Sequence, residues 1–277
     1  MRKTSAVLAS LSLAALALTG CSVTSSSADA TCDRDGHANG IDSAVTVSGE
    51  VGSEPEVEIF APVRLTETSF ADAVTGDGRA LVDDAQPLIA QISIYNGATG
   101  EQIFQTTYDE GNTRPSTIGS WATQSPGLAD VLECATGGTR IVAGLTPEDF
   151  GEANLGGFGM GEDDIAVFVI DVVDAFLPKA EGTLQFNDAQ GMPTVVRADD
   201  GTPGIIIPDS AAPEEQVVQT LIRGDGEKLT DEQTPLVHFT AVSWDDKSVL
   251  QSTWGQSATD SIRQIAAPVA DALVGKP

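Results

Sequence analysis

Residues 76–87 read GDGRALVDDAQP and residues 224–235 read GDGEKLTDEQTP, with six of twelve positions identical at a constant offset of 148. The parallel continues downstream, where PVADALVG (268–275) mirrors PGLADVLEC (126–134). Units of solenoid proteins run about 20–50 residues, so a period this long reads as a duplicated domain. The repeat constrains the chain to two copies of one fold in series. Copy one continues through TRIVAGL (139–145) and IAVFVIDVV (165–173), but copy two reaches Pro277 where those strands should begin. A sheet without its last strands leaves edges unpaired. The sequence as given is therefore expected to be a fragment; the alternative is that copy two docks on copy one.

Residues 1–20 stand outside the fold. Arg2 and Lys3, the apolar run AVLASLSLAALAL (6–18) and the ending LTGC (18–21) form a secretory signal. Its apolar run is too short for the roughly 30 Å of a bilayer core. LTGC resembles the bacterial lipobox, which implies lipid on Cys21 and an anchor at the outer face of the cytoplasmic membrane. An ordinary signal with a chance cysteine is the alternative. Residues 21–45, serine-rich at their start, read as a tether.

Removing Arg2 and Lys3 leaves 12 basic residues against 41 acidic ones, a net of −29. That surface repels nucleic acid, whose binding needs cationic contacts to phosphate, and it argues against docking on anionic headgroups. It can favour basic clients, though broad acidity also serves plain solubility. With Cys21 taken by lipid, Cys32 and Cys134 remain in an oxidising compartment. A disulfide between them is expected, with two free thiols as the alternative. Only His37 and His238 are present, and His238 is expected in a strand within PLVHFTAV. No HExxH, CxxC, GxSxG or P-loop pattern occurs. No metal and no cofactor are expected.

The rest is β-rich. Apolar or alternating runs fall at 44–51, 56–60, 87–95, 139–145 and 165–173, with NGATG (96–100) as a hairpin loop. One short helix is expected at 126–134, where Leu128, Val131 and Leu132 share a face. The chain divides into copy one at 46–174, a linker at 175–190 and copy two at 191–277. The acidic clusters VDD, GEDD and VRADDG lack calcium-loop spacing and read as solvated turns. Trp121, Trp244 and Trp254 lie at unrelated spacings, which disfavours a sugar-stacking platform.

In copy one the order GDG (76–78), IFQTT (103–107), SPGL (125–128), TPEDFG (146–151), VFVIDVV (167–173) resembles the FKBP-type peptidyl-prolyl cis-trans isomerases. Copy two follows the same pattern through GDGEKLTDEQTPLVHFTAVSWDD and VLQSTW (249–254). The whole is similar to tandem-domain lipoproteins of actinobacterial type. The resemblance implies an α+β fold, a twisted antiparallel β-sheet wrapped around a short helix, duplicated, with the second copy incomplete. It implies a proline pocket formed by Phe104, Gln105, Leu128, Phe150 and Ile170, where the family has Phe, Asp, Trp, Tyr and Phe. Gln91 stands where a pocket tyrosine is usual. In copy two the corresponding residues are Phe239, Leu250, Gln251 and Trp254. Read without the resemblance, the apolar members are what any small β-rich core uses.

Prolyl isomerisation breaks no covalent bond. Its barrier, about 20 kcal/mol, is lost amide resonance. A catalyst needs only to hold the twisted amide better than the planar one, so the absence of catalytic motifs suits an isomerase and a non-enzyme alike. The missing aspartate, tyrosine and tryptophan point to weak activity. The expected function is prolyl isomerisation or folding assistance to proline-containing exported polypeptides. The alternatives are an inactive binding module and a structural envelope lipoprotein.

Overall fold

The computed structural model describes residues 32, 34, 38–109, 115–186, 189–230, 237–254 and 272–276. The signal, Cys21, His37 and the first half of PVADALVG lie outside the described residues.

IAVFVIDVV is apolar but for Asp171 because its strand is covered on both faces. That strand, β8 (Ala166–Ala175), is central to a six-stranded antiparallel sheet. The main path runs β3 (Ser69–Val74), β7 (Thr139–Leu145), β8, β4 (Pro87–Asn96), β5 (Gln102–Gln105), and β6 (Ser116–Thr117) pairs β4. Strand alternation divides β8 between two cores. Ala166, Phe168, Ile170 and Val172 face one, with Ile92, Ile94, Ile141, Leu128 and Phe150. Val167 and Val169 face the other, with Ile41, Val45, Val63 and Tyr95. The second core is capped by α1 (Ile41–Ala44) and the hairpin of β1 (Val45–Ser48) with β2 (Glu56–Ile59).

Short helices cover the first core: α2 (Ile118–Gln124), α3 (Leu128–Leu132), α4 (Pro147–Phe150) and α5 (Glu152–Gly157). The sequence reading expected one helix, and α3 fills that place. The others are too brief for periodicity to register, yet their start signals are chemical. Thr117 and Ser120 form a reciprocal capping box for α2, and Thr146 caps α4 with Pro147 at its first turn. This is the α+β arrangement that the resemblance implies.

The GDG motif is explained by close approach. A Cβ on Gly76 would lie 2.1 Å from the Gly137 carbonyl oxygen, and one on Gly78 would lie 2.7 Å from the same atom. Gly78 N also donates to that oxygen at 3.0 Å. The second GDG is unlike the first, because a Cβ on Gly226 would meet nothing within 4 Å.

Beyond Ala175 the described strands form two-stranded pairs: β9 (Thr183–Leu184) with β12 (Ile222–Arg223), β10 (Thr194–Arg197) with β11 (Pro203–Ile206), and β13 (Thr240–Val242) with β14 (Val249–Ser252). The stretch read as a linker at 175–190 thus contains β9. His238, expected in a strand, precedes β13. Ile207 is the one buried apolar residue after Ala175 among the described residues, whereas Leu184, Phe186, Ile206, Val249 and Leu250 are exposed.

Two fastenings tie Cys32 and Arg34 to copy one. Cys32 and Cys134 form a disulfide. Arg34 donates to both carboxylate oxygens of Asp72 and to the carbonyls of Val131 and Glu133 at the end of α3. Its guanidinium also lies 4.6 Å from the centre of the Phe70 ring.

Candidate functional site

NGATG closes the β4–β5 hairpin, with the Asn96 side chain accepting from the Ala98 and Thr99 amides. Just beyond it the register shifts, so that Ile94 pairs with Phe104 and Tyr95 with Gln102. Ile103 is the extra residue of a bulge. Phe104 therefore stays on the same sheet face as Ile94, over the first core, while 40% of its surface is exposed.

A second segment closes over that face. The Phe150 carbonyl, at the end of α4, accepts from Asn154 Nδ2 at 2.6 Å and from Ser125 Oγ at 3.2 Å. Asn154 also donates to the Gln124 carbonyl. These bonds pin α4 and α5 to the corner between α2 and α3. Phe158 follows α5 and lies edge-on to Phe104, ring centres 6.4 Å apart. It stacks on Phe150 at 5.9 Å, and Phe150 meets Phe168 edge-on at 5.7 Å. Four rings thus run from solvent into the core.

Leu128, Phe150 and Ile170 come together in this core, all at most 2% exposed, and Phe104 sits at its rim. Two glutamines do not join them. Gln105 pairs with Ser93, on the opposite face from Phe104, and its side chain accepts a hydrogen bond from Gln102. Gln91 alternates with Ile92 and is buried, its Oε1 accepting from Thr106 Oγ1 at 2.5 Å. A strand turns neighbouring side chains to opposite faces, so neither can line a recess above Phe150. Phe158 was missed by sequence reasoning. Its signal is an aromatic ring inside GGFGMG, a glycine-rich stretch in which Phe158 caps the end of α5.

Behind the sheet, Tyr108 bonds Ser93 at 3.0 Å. Burial pushes its hydroxyl up to about pKa 12, against the lowering effect of Ser93. Trp121 packs on the first core and donates to Ser116 Oγ, which leaves it a structural role.

Copy two brings fewer of its candidates together. Phe239 N donates to Thr253 Oγ1 and Phe239 O accepts from Thr253 N. Trp254 is half-buried and stacks on His238 at 4.8 Å. Leu250 and Gln251 are exposed neighbours on β14 and so point to opposite faces.

Among the described residues, the copy-one site is built of rings and aliphatic groups: Phe104, Phe158, Phe150, Phe168, Leu128 and Ile170. It offers an apolar, aromatic surface next to which an amide loses water. Among the described residues no group of His, Cys, Asp and Glu could hold a metal ion, and no helix is long and apolar enough to cross a membrane.

No protein-family model and no curated protein matches the chain. Its similarities are to solved structures. The N-terminal domain of FKBP42 from Arabidopsis thaliana is 16% identical, the match covering 47% of this chain and 100% of that one, with a TM-score of 0.35. FkpA from Escherichia coli is 18% identical over 39% of this chain and 47% of that one, TM-score 0.32. A multi-domain immunophilin from Arabidopsis thaliana is 16% identical over 50% and 51%, TM-score 0.36.

Proposed function

We propose that copy one is a weak prolyl isomerase of FKBP type, acting on proline-containing exported polypeptides. The observation that carries this reading is the run of four rings, Phe104, Phe158, Phe150 and Phe168, on a sheet face with no competing polar chemistry. A proline ring set against Phe104 and Phe158 would place its preceding amide in an apolar, poorly hydrated setting. Water stabilises the more polar planar amide, so its withdrawal lowers the barrier to twisting. Isomerisation breaks no covalent bond, so it needs no nucleophile.

Binding without turnover is the second reading, and one observation favours it. Phe150 is 1% exposed beneath Phe158. A proline can reach Phe150 only if Phe158 swings aside, and Phe150 has no hydroxyl to grip a substrate carbonyl. Export by the signal at 1–20, attachment through lipid on Cys21, and a second domain of the same kind at 191–277 complete the proposal. The sequence patterns alone support these three.

The test is exchange NMR of a short proline peptide with the full chain. Faster cis–trans exchange, lost in Phe104→Ala and Phe158→Ala, is expected of the isomerase. Shifted peptide resonances at an unchanged rate identify the binding module. Neither effect, with a folded protein, defeats both.

A further inference from the structure

The segment that carries Phe150 and Phe158 also forms a cleft. Pro147, Leu155 and Met160 give it an apolar lining, and Glu148, Glu152 and Glu162 are exposed around it. Leu155 and Met160 are buried in the same core as Phe150, and Met160 N donates to the Leu155 carbonyl at 2.9 Å, which fixes that lining. The cleft and the rings of Phe150 and Phe158 are therefore built from one continuous stretch of chain, and Leu155 and Met160 share a core with Phe150.

Its charge is uniform. From Ile141 to Phe176 there are eight Asp and Glu and no Lys or Arg. The ion pairs found among the described residues are Arg34–Asp72, Arg140–Asp171 and Lys247–Asp209, so none of the three cleft glutamates is spent on one. Carboxylates with no cation partner among the described residues, around an apolar lining, complement one kind of segment, an apolar side chain flanked by lysine or arginine.

We propose that this cleft holds a cationic flank of the client polypeptide, beside the proline-binding rings. The inference rests on the prolyl reading for the client's proline, and on the cleft alone for its charge. An extended client spans about 3.3 Å per residue, so a residue a few positions from the proline is in reach of the neighbouring cleft. The glutamates act as selectors, favouring clients whose prolines lie close to basic residues. They take no part in the isomerisation itself.

The experiment measures anisotropy of labelled peptides on the full chain. Four peptides share one apolar core: a proline with lysine flanks, with serine flanks, with glutamate flanks, and the lysine-flanked peptide with alanine in place of proline. The expected order of affinity is lysine over serine over glutamate, with about five- to tenfold between the first two from a few exposed charge contacts. Raising salt from about 0.1 M to about 1 M shortens the screening length from about 10 Å to about 3 Å and should erase the order. The triple variant Glu148→Gln, Glu152→Gln, Glu162→Gln should bind all three proline peptides alike, with the serine-flanked affinity unchanged. Glu→Asp at the same three sites should keep the order, which guards against a loss of fold. A lysine preference that survives the glutamine variant overturns the inference, because the field of the whole molecule then suffices. So does the absence of any preference. The proline reading fails separately, if the alanine peptide binds as well as its proline parent.

Discussion

Arg140 lies inside an apolar strand and is 1% exposed at its side chain, and Asp171 opposite it is fully buried. Arg140 Nε and Nη2 donate to the two carboxylate oxygens at 2.6 Å each. Nη1 reaches the carbonyls of Ser48 and Gly49 at 3.0 Å, and Nη2 reaches those of Glu50 and Ser53. Arg140→Met removes six hydrogen bonds and leaves the buried carboxylate with the Gly52 amide. The four carbonyls belong to exposed residues, so water can serve them and each loss is small. The carboxylate has no such recourse. Stranding one partner of a buried pair costs about 3–5 kcal/mol, and that sets the expected loss. Replacing both, Arg140→Met with Asp171→Leu, strands nothing and should lose less than either single change, since apolar replacements of buried pairs are often near neutral. Urea unfolding followed by Trp121 fluorescence, in a background of Trp244→Phe and Trp254→Phe, measures the cycle. A loss under about 1 kcal/mol for Arg140→Met, or losses that simply add in the double variant, would refute the reasoning.

Two further outcomes are expected. Gly76→Ala should cost at least about 1–3 kcal/mol, because its Cβ must displace the Gly137 backbone, whereas Gly226→Ala should change stability by less than about 1 kcal/mol; paired thermal melts decide, and equal effects would remove the close-packing account. Burial lowers the His238 pKa below its usual value, against a smaller raising effect from its hydrogen bond with Thr253. The unfolded chain then binds the extra proton first, so this contribution to stability is full above about pH 6.5 and fades as pH falls toward the lowered folded value. Melts of the parent and His238→Gln between pH 7.5 and 5.5 should converge on acidification; a constant difference would contradict this.

The central strands β4, β7 and β8 were legible because they carry unbroken or alternating Val, Ile and Phe, whereas the edge strand β3, reading SFADAV, and the two-residue β6 are too short or too polar to stand out. Side-chain direction was less accessible. Gln105 sits on the far face because one bulge residue, Ile103, resets the alternation, and no residue type in IFQTT announces a bulge. The short helices escaped because four to seven residues span barely two turns, though the Thr117–Ser120 box was readable in retrospect. Arg140 was visible as a cation within TRIVAGL, but its partners at 48–53 are contacts of distant sequence that no local pattern encodes.

The disulfide at Cys32 has a mechanical consequence. A pull between the chain preceding Cys32 and the chain beyond β8 crosses directly to Cys134, so the residues between the two cysteines carry no tension. Phe104 and Leu128 lie within that sheltered loop, while Phe150 and Phe158 lie on the loaded path beyond it. Tension would therefore be felt by three rings of the stack, Phe150, Phe158 and Phe168, and not by Phe104, and the contact between Phe104 and Phe158 is the seam along which it would part.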